Sequence, residues 1–319
     1  MISNNTILIT GGAGFIGSTL ANHLIKKENK VVIIDDLSMG NLENLDNSKK
    51  IDINIDSITS ETLLRKVFSD YQFDYIFHLG AIASVADSVE NPTKTHEVNF
   101  ESTLLILELI RKSQKNLKRL VFSSSAAVYG DELTLPKSED HSVIRPLTPY
   151  AVDKYSSERY VLNYYSLYGI PTSAVRFFNV YGPKQNPASP YSGVISILLN
   201  TYKKFKVDPT VKFNVFGDGE QTRDFIFVED VISALQLVAT SPKSLGEVYN
   251  VGTGNSTSLN DIINILDNLL SLKIPVEYLK ARKGDIMHSF STIEKLKQLG
   301  FSPEYDVYKG MKKYLEKEF

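Results

Sequence analysis

The stretch Thr10-Gly11-Gly12-Ala13-Gly14-Phe15-Ile16-Gly17 constrains this chain more than any other. An apolar run at residues 7–9 leads into it, and residues 15–27 follow with helical spacing. Strand, glycine turn and helix in that order form the context of a dinucleotide-binding turn. Gly11 and Gly14 let bare backbone approach a pyrophosphate, and Gly17 lets the helix sit close on the strand. The helix start at Phe15 and Ile16 offers unpaired N–H groups and a positive dipole end to the phosphates.

The segments that follow keep the same rhythm. Short β-branched or aromatic runs at 31–34, 51–55, 75–79, 120–123 and 173–177 alternate with helical patterns at 61–68, 100–113 and 149–168. Such strands suit burial on both faces, so the expected fold class is α/β: a Rossmann-like, doubly wound parallel sheet. Its ligands sit at the carboxyl ends of the strands. Past Tyr181 the rhythm breaks at a turn-rich stretch, 182–190. Helical patterns at 193–203, 230–240, 259–272, 292–299 and 307–318, with strands near 211–216, 247–250 and 275–278, describe a smaller mixed α/β C-terminal lobe. The expected division is residues 1–180 for the dinucleotide domain, which also receives 225–250, and 181–319 for a discontinuous substrate lobe.

Composition narrows the function. A net charge of −2 gives no reason to expect nucleic acid. No apolar run approaches ~20 residues, so no membrane span is expected. The first strand begins almost at once, which leads to the expectation of no secretory signal and a cytoplasmic location. With no cysteine, thiol catalysis and thiolate metal sites are excluded. His23, His78, His96, His141 and His288 show no metal-ligand spacing and read as surface or packing residues.

The second strand ends in Asp35-Asp36, with Asp35 18 residues beyond Gly17. A carboxylate there accepts hydrogen bonds from ribose hydroxyls and repels a 2′-phosphate, which favours NAD. Small residues at later strand ends, Gly80 to Ser84 and Ser123 to Ala127, let a flat cofactor lie close to the backbone. Ser57 and Ile58 after the third strand are placed to flank the adenine. Tyr150 and Lys154 stand at i and i+4, on one face of a helix that Pro149 helps to start. An ammonium beside a phenol stabilises phenolate, which could then take a hydroxyl proton while hydride leaves the same carbon. Ser125, 25 residues earlier at a strand end, could bridge a substrate oxygen and Tyr150.

These motifs, together with Arg176–Gly182, Arg223-Asp224 and Arg282–Asp285, make the chain resemble the extended short-chain dehydrogenase/reductase family. Within it, the chain looks most like the nucleotide-sugar 4-epimerases, over essentially its whole length. The resemblance implies NAD as cofactor, a UDP-sugar substrate and a homodimer formed through the helices at 100–113 and 149–168. It implies Ser125, Tyr150 and Lys154 as the catalytic triad. Leu79, Ala81, Ala83, Asn99, Ser123 and Phe177 join the cofactor set. Ser84, Ala126, Phe178, Asn179, Val194, Arg223, Arg282, Asp285 and Ser289 join the substrate set.

Within that resemblance, the residues after Ser125 discriminate between reactions. The related dehydratases and decarboxylases place acids there; Ala126 and Ala127 can transfer no proton. What remains is hydride removal and return at C4. Ser289 stands where epimerases that exclude N-acetyl sugars carry a bulky tyrosine, which points to UDP-GlcNAc/UDP-GalNAc, with UDP-Glc/UDP-Gal as further substrates. The competing readings are a UDP-glucuronate or strict UDP-glucose 4-epimerase and, more remotely, a non-catalytic NAD-binding scaffold.

Overall fold

The computed structural model describes residues 2–186, 193–281 and 286–318. Its central sheet contains β1 (Thr6–Thr10), β2 (Lys30–Asp35), β3 (Ile51–Ile55), β4 (Tyr75–His78), β5 (Arg119–Ser125), β6 (Thr172–Phe177) and a last strand, Val248–Val251. From one edge the order is Val248–Val251, β6, β5, β4, β1, β2, β3, with every pair parallel. The winding direction reverses between β1 and β4, which opens a crevice at their carboxyl ends.

Alternation along the strands sends side chains to two separate cores. Ile7, Ile9, Val31, Ile33, Val121 and Val175 pack on one face with Leu20, Leu24, Val231, Leu235 and Val238. Leu8, Val32, Ile34, Ile76, Leu120 and Phe122 pack on the other with Leu64, Phe68, Ile106, Ile110 and Val161. Both faces are therefore covered, as continuous apolar strands require.

The flanking helices are α1 (Phe15–Ile25), α2 (Glu61–Asp70), α3 (Val85–Glu90), α4 (Pro92–His96), α5 (Ser102–Ser113) and α6 (Pro149–Tyr168). The start of α6 follows from its sequence: Thr148 accepts the Ala151 N–H and Pro149 occupies the first turn. Gly169, at φ +67°, ends the helix in the left-handed conformation. Three boundaries differ from the sequence reading. Residues 97–101 form a wider π turn before α5, the helix expected at 292–299 shrinks to Glu294–Lys297, and the short helices α3 and α4 went unforeseen.

The C-terminal lobe has its own core, where Leu198 and Tyr202 of helix Val194–Phe205 meet Val215, Ile262, Leu266 and Tyr314. Helix Val228–Thr240 returns to the sheet and shares the core of α1. Thr222–Arg223 lies between Thr257–Ser258 and His288–Ser289 in a small three-stranded sheet.

A buried ion pair ties α6 to the sheet. Glu158 receives the Arg176 guanidinium at 2.6 and 2.9 Å and the Ser124 hydroxyl at 2.7 Å. Removing one partner of such a pair strands the other charge. Arg176→Met is therefore expected to lower unfolding free energy by about 3–5 kcal/mol in chemical denaturation, with part of the loss recovered by adding Glu158→Leu. A loss below about 1 kcal/mol would show that water reaches Glu158.

Candidate active site

A groove of about 640 Å³ runs along the carboxyl ends of β1, β2, β4 and β5. The structure brings to it Gly11, Gly14, Phe15, Ile16, Gly17, Asp35, Asp36, Ile58, Leu79, Ala81, Ala83, Ser123, Ser125, Tyr150, Lys154, Phe177, Phe178 and Asn179. Two glycines are indispensable to its floor. Gly11 has φ +68°, and a Cβ there would lie 2.8 Å from the Gly80 Cα. A Cβ on Gly17 would overlap the Gly11 carbonyl oxygen, so α1 could not close on the turn. At Gly14 a Cβ would meet only the Gly11 carbonyl, at 3.3 Å, and the N-terminus of α1 has no side-chain cap. That end is free to take phosphate oxygens.

Asp35 is nearly buried. Its carboxylate receives Ala13 N–H and Leu37 N–H, both at 2.9 Å, which fixes it against the glycine turn while it still borders the groove. Behind the opposite wall runs a buried hydroxyl–imidazole chain. Thr10 Oγ1 accepts from Leu79 and Gly80 N–H, so its proton goes to His78 Nδ1 at 2.7 Å. His78 Nε2–H then meets Thr103 Oγ1 at 3.0 Å. Burial holds the His78 pKa down to about 3, so this ring is neutral and structural.

At the end of β5, the Ser125 hydroxyl faces the Tyr150 phenol and favours its ionised form. Burial raises the Tyr150 pKa and the Ser125 hydroxyl opposes it. Lys154 does not reach the phenol; its ammonium donates to the Ser123 carbonyl at 2.9 Å and lies over the Phe122 ring. The expected lowering of the phenol by this lysine is thus not built into the cofactor-free protein. Burial lowers Lys154 itself to about 7, with Asp153 pulling it back up.

Several expected residues stand elsewhere. Ser84 is buried and accepts the Asp87 N–H as the cap of α3, so it does not line the groove. Asn99 lies behind the wall, where its amide holds both the N–H and the carbonyl of Ile82. Ser57 bonds to Thr59 in a turn beside Ile58, and Ala126 opens a 3₁₀ turn beyond Ser125. Val194 packs against the second lobe's core. Arg223 and Ser289 are partners in the three-stranded sheet, and Arg223 donates to the Thr222 carbonyl at 2.9 Å. Arg282 and Asp285 lie outside the described residues, as do Pro187 and 189–192.

The groove also contains Met39, Gly40, Lys94 and Val98, which the sequence reading did not assign, and Gln185. Gln185 alone had a signal, in the turn-rich Gly182-Pro183-Lys184-Gln185 run; Lys94 sits on the unforeseen α4.

The lysine carries a stability consequence. The folded state releases the Lys154 proton near pH 7, whereas the unfolded chain keeps it to about 10.5. The penalty of burying this cation is therefore full below pH 7 and fades as pH rises toward 10.5. Lys154→Met is expected to raise the Tm of the cofactor-free protein most at about pH 6, the gain shrinking by about pH 9. A gain that stays constant across pH would rule out the ammonium as its source.

The comparisons agree with this geometry. Residues 7–252 match the NAD dependent epimerase/dehydratase family. A solved UDP-N-acetylglucosamine 4-epimerase from Methanobrevibacter ruminantium, in complex with UDP-N-acetylmuramic acid, is 36% identical. It superimposes with a TM-score of 0.91, covering 99% of this chain and 98% of that one. The UDP-glucose 4-epimerase of Thermotoga maritima, solved with UDP-glucose, is 35% identical with a TM-score of 0.89, covering 98% and 97%. A UDP-glucuronate 4-epimerase from Thermodesulfobacterium geofontis is 33% identical over 96% of this chain and 94% of its own length. The chain belongs to the NAD dependent epimerase/dehydratase family, as an extended short-chain dehydrogenase/reductase whose relatives include UDP-sugar 4-epimerases.

Proposed function

We propose that this chain interconverts the C4 epimers of a UDP-hexose, with UDP-N-acetylglucosamine and UDP-N-acetylgalactosamine preferred and UDP-glucose and UDP-galactose also accepted. One observation carries the reaction class. Ser125, Tyr150 and Lys154 line one groove at the end of β5, while Ala126 and Ala127, next along the chain, can move no proton. Bound NAD supplies a hydride acceptor and gives the hydride back. Gly11, Gly14, Gly17 and Asp35 are the residues that would hold it.

The chain's own part is proton handling and grip. Tyr150 takes the O4 proton and returns it once the 4-keto sugar has turned its other face. Ser125 bridges that oxygen to the phenol. A buried phenol resists ionisation, so positive charge must stand near it; Lys154 brings one such charge. The sugar must rotate, so the anchor has to be the diphosphate and uridine. Arg223 suits the diphosphate through charge-assisted bonds, and Asn179 stands exposed at the rim of the groove. Arg282 and Asp285 keep the roles that the resemblance gives them.

The small Ser289 beside Arg223 supports the N-acetyl preference, since it leaves room for a 2-acetamido group. An acidic sugar would call for a further cation. Lys184 sends its ammonium to the Asn44 carbonyl in a separate depression, and Lys94 is already paired with Glu97 at 2.9 Å. Pairing of two copies through α5 and α6 belongs to the same proposal, supported by Val152, Tyr160, Leu167 and Tyr168, exposed on α6. A monomer in light scattering would remove it.

Two sets of measurements decide the reading. NMR assays against UDP-GlcNAc, UDP-Glc and UDP-glucuronate in parallel should show C4 interconversion without stoichiometric NADH; steady NADH accumulation would instead indicate a net dehydrogenase. Tyr150→Phe should cut turnover by about 10²–10⁴-fold while UDP-sugar binding persists. Ser289→Tyr should depress N-acetylhexosamine turnover about tenfold more than hexose turnover, and equal losses would end the gate idea.

A further inference from the structure

Asp153 lies on α6 between Tyr150 and Lys154, and it is buried at 5% exposure. One carboxylate oxygen, Oδ1, lies 2.8 Å from His96 Nδ1 on α4. A carboxylate can only accept, so the ring donates through Nδ1–H. The other oxygen, Oδ2, is buried with no hydrogen-bond partner. A buried carboxylate left half satisfied is costly, and it needs a reason beyond joining two helices. Its neighbour along the chain, Lys154, is a buried cation.

We propose that Asp153, held by His96, is a positioning residue that keeps Lys154 protonated beside Tyr150. The proposal rests on Lys154 acting as an ammonium. The surroundings single out Asp153 for this part. From β5 the lysine meets only the Ser123 carbonyl and the Phe122 ring. From β4 it faces His78, which is neutral. On its own helix Tyr150 is un-ionised, and Glu158 is engaged by Arg176. From the α4 side, Lys94 and Glu97 neutralise each other at 2.9 Å. The shallow depression over the pair is lined by Pro92, Pro146, Leu147, Thr148, Pro149 and Val152, none of which titrates. Phe100 stacks on the His96 ring at 5.0 Å and fixes its plane.

The signs follow directly. Asp153 raises the pH at which Lys154 loses its proton. Removing that charge lets the ammonium lose its proton at lower pH. Removing the His96 donor leaves both carboxylate oxygens without a partner and no longer fixes the side chain next to Lys154, which works in the same direction.

The test is the pH dependence of kcat for C4 epimerisation of UDP-glucose and UDP-N-acetylglucosamine, with NAD saturating. Asp153→Asn is expected to move the alkaline limb down by about one pH unit. On the acid side of that limb, turnover should stay within about threefold of the parent. His96→Leu should shift the limb in the same direction, and His96→Gln, which keeps a donor, should restore it. This pair carries the test if Asp153→Asn does not fold. Alkaline limbs of Asp153→Asn and His96→Leu that coincide with the parent's would overturn the proposal. Lys154→Met separates the two levels: full turnover in that variant would refute the ammonium role itself, whereas its loss with unmoved limbs would refute only the part given to Asp153.

Discussion

Glu158 is buried on α6 and divides its carboxylate between Ser124 of β5 and Arg176 of β6. The spacing of the helix carries that anchor to the site. Tyr150, Lys154 and Glu158 stand at i, i+4 and i+8, so they share one face. Each meets a different member of three consecutive serines. Glu158 takes the Ser124 hydroxyl, Lys154 the Ser123 carbonyl, and Tyr150 faces the Ser125 hydroxyl. A one-residue slip of α6 would break all three contacts together. Arg176 also donates to the Tyr129 hydroxyl, which in turn meets Asn250 on the edge strand, so the anchor is braced from both sides.

The same face holds the least comfortable group in the fold. Lys154 is a cation in a dry site, with one carbonyl, one aromatic ring and one neighbouring carboxylate to offset its desolvation. Nothing in packing requires a lysine there; an apolar side chain of similar volume would suit the sheet better. Perturbed groups of this kind collect where chemistry is done. The Glu158 anchor and the two apolar cores are what let the chain tolerate it.

Much of this was legible in the sequence, for a physical reason. Strands buried on both faces read as continuous apolar runs, and α6 announces itself with Thr148 and Pro149. The glycine turn, Asp35 and the Tyr150–Lys154 spacing are local patterns, and the fold gathers them into one groove. What escaped either lacks a hydrophobic period or depends on contacts distant in sequence. The helices α3 and α4 are short and polar, held by the Ser84 cap and buried Thr95 rather than by periodicity. Because α4 was not foreseen, His96 read only as a surface or packing histidine, and Asp153 drew no reading at all. The resemblance put Asn99 in the cofactor set and Ser84 in the substrate set; here their polar atoms are held by backbone groups.

The second lobe depends on a different carboxylate. Asp224 is fully buried next to Arg223. Its oxygens accept from Thr253 N–H and hydroxyl at 2.7 Å, from Gly254 N–H at 3.1 Å, and from Ser291 N–H and hydroxyl at 3.2 and 2.6 Å. Its backbone carbonyl receives Asn179 N–H at 3.0 Å, and its N–H goes to Ser289. Arg223, Ser289 and Asn179 are thereby fixed to one another and, through Phe178 N–H to the Val251 carbonyl, to the edge of the central sheet. The residues proposed to grip a diphosphate and the groove proposed for the cofactor are therefore joined by backbone hydrogen bonds. That is what an epimerisation demands: if either end yielded, the reacting carbon would lose its register after hydride left. On the proposed reading, holding both ends would leave the keto sugar to turn about its own link to the phosphate, which would present the opposite face.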